Sequence, residues 1–162
     1  MKTEKQVMSL LWELFNKLTW LNGYEIKKYL QDYKPSEIHC IEYIGNNAES
    51  NVTKLADVFY MTRGAISKLS KKLLDKGLIE SYQKSNNKKE VYFRLTEKGQ
   101  EIFDIHEDLH KGFEKRDMSV FEQISKDEFE TIIHFAAEYN KHLENEIAKL
   151  GVDMKAAGID KL

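Results

Sequence analysis

The sequence predicts a mainly α-helical protein with one small β-hairpin, the hairpin lying between two short helices and two long ones. Three observations predict it. Apolar residues recur at helical spacing near both ends: Val7, Leu11, Leu14, Leu18 and Leu21, then Phe129, Ile132, Ile133, Ala136, Leu143, Ile147 and Leu150. Val91 to Leu95 alternates in strand fashion after a polar, lysine-rich stretch. A single proline, Pro35, and only eight glycines leave room for long helices.

In chain order, the first helix carries Leu10, Trp12, Phe15 and Trp20 beside its stripe, too broad an apolar face for a lone surface helix. Gly23 is expected to loosen it before it ends near Gln31. A second helix starts after Pro35, with Ser36 as its expected cap and Cys40, Ile41 and Ile44 facing inward. Gly45-Asn46-Asn47 stops it. Asn51 caps a short helix over 52–59, and Thr62 caps the next, which buries Ile66, Leu69 and Leu73 and closes on Gly77 as a left-handed residue. Two strands follow, Leu78 to Gln83 and Val91 to Leu95, around a tip spanning Lys84 to Lys89. Thr96 caps a long helix to about Phe121, with an expected interruption at Gly112. Ser125 caps the last helix, and 151–162 reads as a flexible tail.

A length of 162 residues fits one domain. A hydrophobic content of 41% is too high for a disordered chain. One cysteine excludes an internal disulfide and favours a reducing compartment. No membrane span or signal-peptide layout is visible, so a soluble cytoplasmic protein is expected. The net charge of −2 hides a segregation. Met61–Lys98 holds ten basic and four acidic residues, whereas Gly99–Leu150 holds thirteen acidic and six basic. A basic stretch inside an acidic chain is a local electrostatic footprint for an anionic partner, although a solvated lysine-rich helix face would read the same way.

Two short helices, a tight turn and a hairpin make a winged helix-turn-helix. Here it would span 33–98, with 1–32 and 99–150 forming N- and C-terminal dimerisation helices. The second short helix presents Thr62, Arg63, Gly64, Ser67, Lys68, Lys71 and Lys72. A face this small and basic can enter the ~12 Å major groove of double-stranded DNA. Lys84, Asn86, Asn87, Lys88 and Lys89 of the hairpin can reach phosphates beside it. An interaction module without DNA binding is the competing class, because this fold also docks proteins. No constellation supports an enzyme. His106-Glu107-Asp108-Leu109-His110 matches the zinc-protease spacing, but that chemistry needs a third ligand, an open cleft and a polarising surround, and this helix belongs to a dimerisation arm.

Leu55-Ala56, Thr62 to Leu69, Leu73-Leu74-Asp75-Lys76-Gly77-Leu78-Ile79 and Arg94-Leu95-Thr96-Glu97-Lys98-Gly99 resemble the MarR family of bacterial transcription regulators. The resemblance runs from about Pro35 to Gly99 in motif and over the whole chain in helix order. It implies a homodimer, a palindromic operator and, most commonly, repression. The family's wing carries an acidic residue two positions before an arginine; here Asn87 and Lys89 stand there, which implies a more electrostatic, less selective wing. In the family's zinc-sensing branch, two histidines lie ten and fourteen residues after the threonine matching Thr96, giving His106 and His110. A further histidine, two residues after the position of Glu37, gives His39, and a glutamate from the first helix gives Glu25. Ile38 and Ile105 stand where that branch's second site has carboxylates, so one metal site is implied.

Other effectors remain open. Cys40 offers an oxidant sensor, although its apolar setting reads as core. Trp12, Phe15, Trp20 and Tyr24 offer a lining for a small apolar effector at the dimer junction, against the plainer reading of packing. His134 and His142 read as surface or interface residues.

Overall fold

Local capping chemistry sets most of the element boundaries. The computed structural model describes residues 2–150, so the expected tail at 151–162 lies outside the described residues. Helices α1 (Lys2–Tyr29), α2 (Pro35–Asn46), α3 (Val52–Val58) and α4 (Arg63–Asp75) lead into strands β1 (Ile79–Lys84) and β2 (Asn87–Leu95). Helices α5 (Glu97–Phe121) and α6 (Lys126–Lys149) follow. Asn51, Thr62, Thr96 and Ser125 cap their helices by accepting from Lys54, Ala65, Gly99 and Glu128 backbone N–H groups.

Four expectations are corrected. The cap of α2 is Lys34, with Pro35 in the first turn, and the Glu37 carboxylate reaches back to the Lys34 N–H at 2.8 Å. Helix α1 runs unbroken through Gly23, and α5 runs unbroken through Gly112. The hairpin tip is also shorter than expected: β2 begins at Asn87, so Lys88 and Lys89 lie in a strand. Exposed lysines suit a strand with no buried face there, which composition alone reads as loop.

The connected core cluster runs from Leu30 to Ile102, and Phe113 is buried beyond it on α5. The cluster joins Leu30, Ile38, Cys40, Ile41, Ile44, Leu55, Ala56, Ile66, Leu73, Leu78, Ile79, Phe93 and Ile102. Ile66, Ser70 and Leu73 form the buried stripe of α4. The antiparallel hairpin pairs Ile79 with Leu95 and Ser81 with Phe93, and an isolated bridge from Ser50 to Phe93 adds a short third edge.

The junction of wing and α5 explains the Leu-Thr-Glu-Lys-Gly run in packing terms. Thr96 Oγ1 donates to the Gly77 carbonyl at 2.6 Å and accepts from Gly99 N–H at 3.1 Å, while Thr96 N–H donates to the Leu78 carbonyl at 3.1 Å. A Cβ on Gly99 would lie 1.9 Å from that same carbonyl oxygen. Gly77 has the expected left-handed backbone, φ +68°.

Helices α1 and α6 bury no residue. Trp12, Trp20 and Ile133 are each more than 60% exposed, among a long series of exposed apolar side chains on these two helices. No helix among the described residues is long and apolar enough to cross a membrane.

Candidate nucleic-acid interface and metal centre

Because α4 buries the side of Ile66, Ser70 and Leu73, its opposite side is fixed as Arg63, Gly64, Ser67, Lys68 and Lys71, all exposed. A Cβ on Gly64 would meet nothing closer than Thr62 Oγ1 at 4.0 Å, so the N-terminal end of this face is open. Thr62 spends its hydroxyl on the cap, accepting from Ala65 N–H at 3.1 Å. Lys72, which the sequence placed on the same face, has its ammonium 2.8 Å from Glu37.

Glu37 is the functional-looking residue that sequence reasoning missed. It is 1% exposed and takes Lys72 at 2.8 Å and Lys76 at 3.0 Å. Burial works to raise its carboxyl. Hydrogen bonds from Lys72, the Lys34 N–H and Lys76 outweigh this and hold it at about 2. Lys76 also lies over the Tyr33 ring, 5.1 Å from its centroid. This hub joins the start of α2 to the recognition-like helix and sets how the two cross. The available signal was a glutamate in the first helical turn with lysines ahead of it at helical spacing.

On the hairpin, Asn87 Oδ1 accepts from the N–H groups of Lys89 and Glu90 at 3.2 and 3.3 Å, so it holds the turn. Asn86, Lys88 and Lys89 are exposed. Lys84 instead pairs with Glu49 and lies over the Tyr92 ring, 5.2 Å from its centroid.

A second cluster lies where α2 meets α5. His106 is 3% exposed, and its Nε2 is 3.1 Å from His110 Nε2. Glu42 Oε2 lies 3.9 Å from His106 Nδ1. Glu42, His106 and His110 bring one donor atom each to within 4.8 Å of one another. His39 is next to them, its ring centroid 6.3 Å from that of His106, but its nitrogens fall outside the compact group. Glu25 also falls outside; its charge acts on Arg116, whose guanidinium is held charged first by Asp117. Thus two of the four sequence-expected ligands are brought together, one is adjacent, and Glu42 is added. The signal for Glu42 was its place three residues after His39, on one face of α2.

Burial pushes the His106 imidazole below its ordinary range, with His110 and His39 adding to the effect and Glu42 opposing it. A neutral imidazole is the form that ligates a metal. Two nitrogens on a tetrahedral zinc with bonds of 2.0–2.1 Å sit roughly 3.3 Å apart. The 3.1 Å spacing therefore fits, and the nitrogen and oxygen donors suit a borderline divalent ion. Glu107, the would-be base of the protease pattern, is engaged by Lys111 at 3.0 Å. Cys40 is fully buried, and burial pushes its thiol up to about 12.

A helix-turn-helix with an open basic face, flanked by a lysine-bearing hairpin, defines a winged helix-turn-helix protein. The chain belongs to the MarR family, which it matches over residues 34–91. It is 37% identical over 111 residues to the HTH-type transcriptional regulator PchR of Bacillus subtilis, covering 68% of this chain and 66% of that one. The structure resembles Streptococcus pneumoniae FabT in complex with DNA, with a TM-score of 0.75, 20% identity and coverage of 88% and 98% of the two chains. It also resembles the zinc-dependent MarR family regulator AdcR in its Zn(II)-bound state, with a TM-score of 0.54, 18% identity and coverage of 68% and 75%. At these identities the likeness to solved structures is one of fold.

Proposed function

We propose that this protein is a homodimeric transcription regulator, most simply a repressor, that binds a palindromic DNA operator and is tuned by zinc. The observation that carries the reading is the open face of Arg63, Gly64, Ser67, Lys68 and Lys71 beside the exposed Lys88 and Lys89. Small residues at the start of α4 allow close approach to base edges, Arg63 and Lys68 supply charge, and the wing lysines engage phosphates. The DNA complex of FabT, a protein of the same fold, supports it. Dimerisation is supported by the uncovered apolar faces of α1 and α6.

His106, His110 and either His39 or Glu42 would hold the metal; where His39 is the third ligand, Glu42 is placed to orient His106 through Nδ1. When bound, zinc supplies a cross-link between α2, within the DNA-reading unit, and α5, which runs out to the dimer arm. The residues themselves set the consequence: a fixed α2–α5 angle fixes the separation of two α4 helices, which must match half-sites roughly 34–36 Å apart. Coupling of this kind is typically about 1–3 kcal/mol and reciprocal.

The test is selection of a duplex from a random pool, then band shifts with added zinc and with excess chelator. A dimer with ~6–10 phosphate contacts should lose roughly 10³–10⁵ in affinity between about 50 and 200 mM salt. Zinc should tighten specific binding by roughly 5–150-fold, and His106→Ala should remove that response while leaving low-salt binding intact. Equal binding with zinc and chelator would redirect the effector search to an apolar ligand near Trp12, Phe15 and Trp20. Failure to select any duplex would favour the protein-docking class.

A further inference from the structure

Ser50, at the end of the α2–α3 connection, bridges β2 at Phe93. Phe93 N–H donates to the Ser50 carbonyl at 2.8 Å, and both side chains are buried. Glu49 and Asn51, which flank Ser50, carry contacts to both strands of the wing. The Glu49 carboxylate takes the Lys84 ammonium, which lies over Tyr92. Asn51 Nδ2 donates to Glu90 Oε2 at 3.2 Å, while Asn51 Oδ1 caps α3 through Lys54 N–H at 2.9 Å. Glu49 is itself held, with a left-handed backbone of φ +60° and its carbonyl accepting from Lys54 Nζ at 3.1 Å. The pairing favours both charged forms: its hydrogen bond lowers the Glu49 carboxyl and raises the Lys84 ammonium.

We propose that Glu49 and Glu90 are positioning residues that latch the wing to the start of α3, fixing where Lys88 and Lys89 stand relative to α4, with Lys84 serving the latch rather than the phosphate backbone. The inference rests on the DNA-binding reading above. A two-stranded hairpin alone is marginally ordered; the base of this one is held by Ile79 and Phe93 in the core, and the contacts of Glu49 and Asn51 act nearer its tip. Exposed pairs of this type add little stability. Their effect lies in order: a wing that must be immobilised on docking costs conformational entropy that a latched wing has already lost. The latch therefore governs discrimination between a matched operator and other DNA more than total affinity.

The test uses the full-length protein and two readouts. The first is amide hydrogen exchange of residues 79–95 without DNA. The second is the affinity ratio between a duplex selected by the wild type from a random pool and poly(dI-dC). Glu49→Ala with Glu90→Ala should speed wing exchange and lower the ratio by roughly tenfold, two weak contacts being lost. Reversing the ion pair, Glu49→Lys with Lys84→Glu, keeps the net charge and should restore both readouts toward wild type. Unchanged exchange and ratio in the double alanine variant overturns the latch. So does a reversed pair that restores neither and loses about one phosphate contact from the salt dependence, since Lys84 would then be a DNA ligand. If the wild type selects no duplex, the DNA reading fails by itself, and exchange in the same variants still decides the latch.

Discussion

The two ends of α5 belong to differently built regions. Its first turns are sealed into the core through Gly99 and Ile102, and burial continues along it to His106 and Phe113. Its far end runs beside α1 and α6, which bury nothing although they carry Trp12, Phe15, Trp20, Ile132 and Ile133. The winged unit is thus closed by its own chain, while the arms present an apolar surface that one copy leaves in water. Covering a Phe or Leu side chain gains about 1.5–3 kcal/mol. If the arms pair two copies, as proposed, stability and association are separable here, and substitutions should sort by region.

The largest separation is expected from Gly99→Ala. The added methyl group would collide with the Leu78 backbone, which has no rotamer to move away. A loss above about 4 kcal/mol is expected in urea unfolding, with wing and α5 disrupted together. A loss below about 1 kcal/mol would show that the junction yields.

The arms should respond in the opposite sense. Trp12→Ala with Phe15→Ala should weaken self-association about 100-fold or more by sedimentation. Because both side chains are exposed within one chain, monomer stability should change by only about 0.5 kcal/mol. A shifted urea midpoint in dilute, monomeric protein would mean that the arms pack within one chain after all.

A smaller effect sharpens the core side. Glu37 is held at about 2 against an ordinary 4.5, so it stabilises the fold above its ordinary value, and this is lost as pH falls from about 5 toward 2. Glu37→Gln should cost about 1–3 kcal/mol at neutral pH. The gap between variant and wild type should close across that acid window. A constant gap would mean that the carboxylate charge contributes nothing.

What was legible in the sequence followed the same division. Caps at Asn51, Thr62, Thr96 and Ser125 act over three residues, so they could be read directly. The buried stripe of α4 and the exposed face of Arg63 to Lys71 followed from one helical period. The α2 start was misread because Ser36 is the stronger capper in isolation, whereas Glu37 satisfies the backbone from inside the helix. Lys88 and Lys89 read as loop in the sequence because strand formation there depends on pairing with β1, which composition does not encode. The metal cluster was half legible. His106 and His110 are neighbours on one helix, but Glu42 enters through tertiary packing of α2 on α5, and Glu25 lies outside the cluster.

Helix α5 is unbroken for 25 residues, about 37 Å at 1.5 Å per residue. Treated as a stiff rod pivoting where Gly99 meets the Leu78 carbonyl, it has His106 roughly 10 Å and Phe121 roughly 33 Å along the same arm. A tilt of only ~5° would be a displacement of roughly 1 Å at His106 and roughly 3 Å at Phe121. Whatever pulls on the histidine pair is therefore magnified severalfold by the time it reaches the other end of the rod.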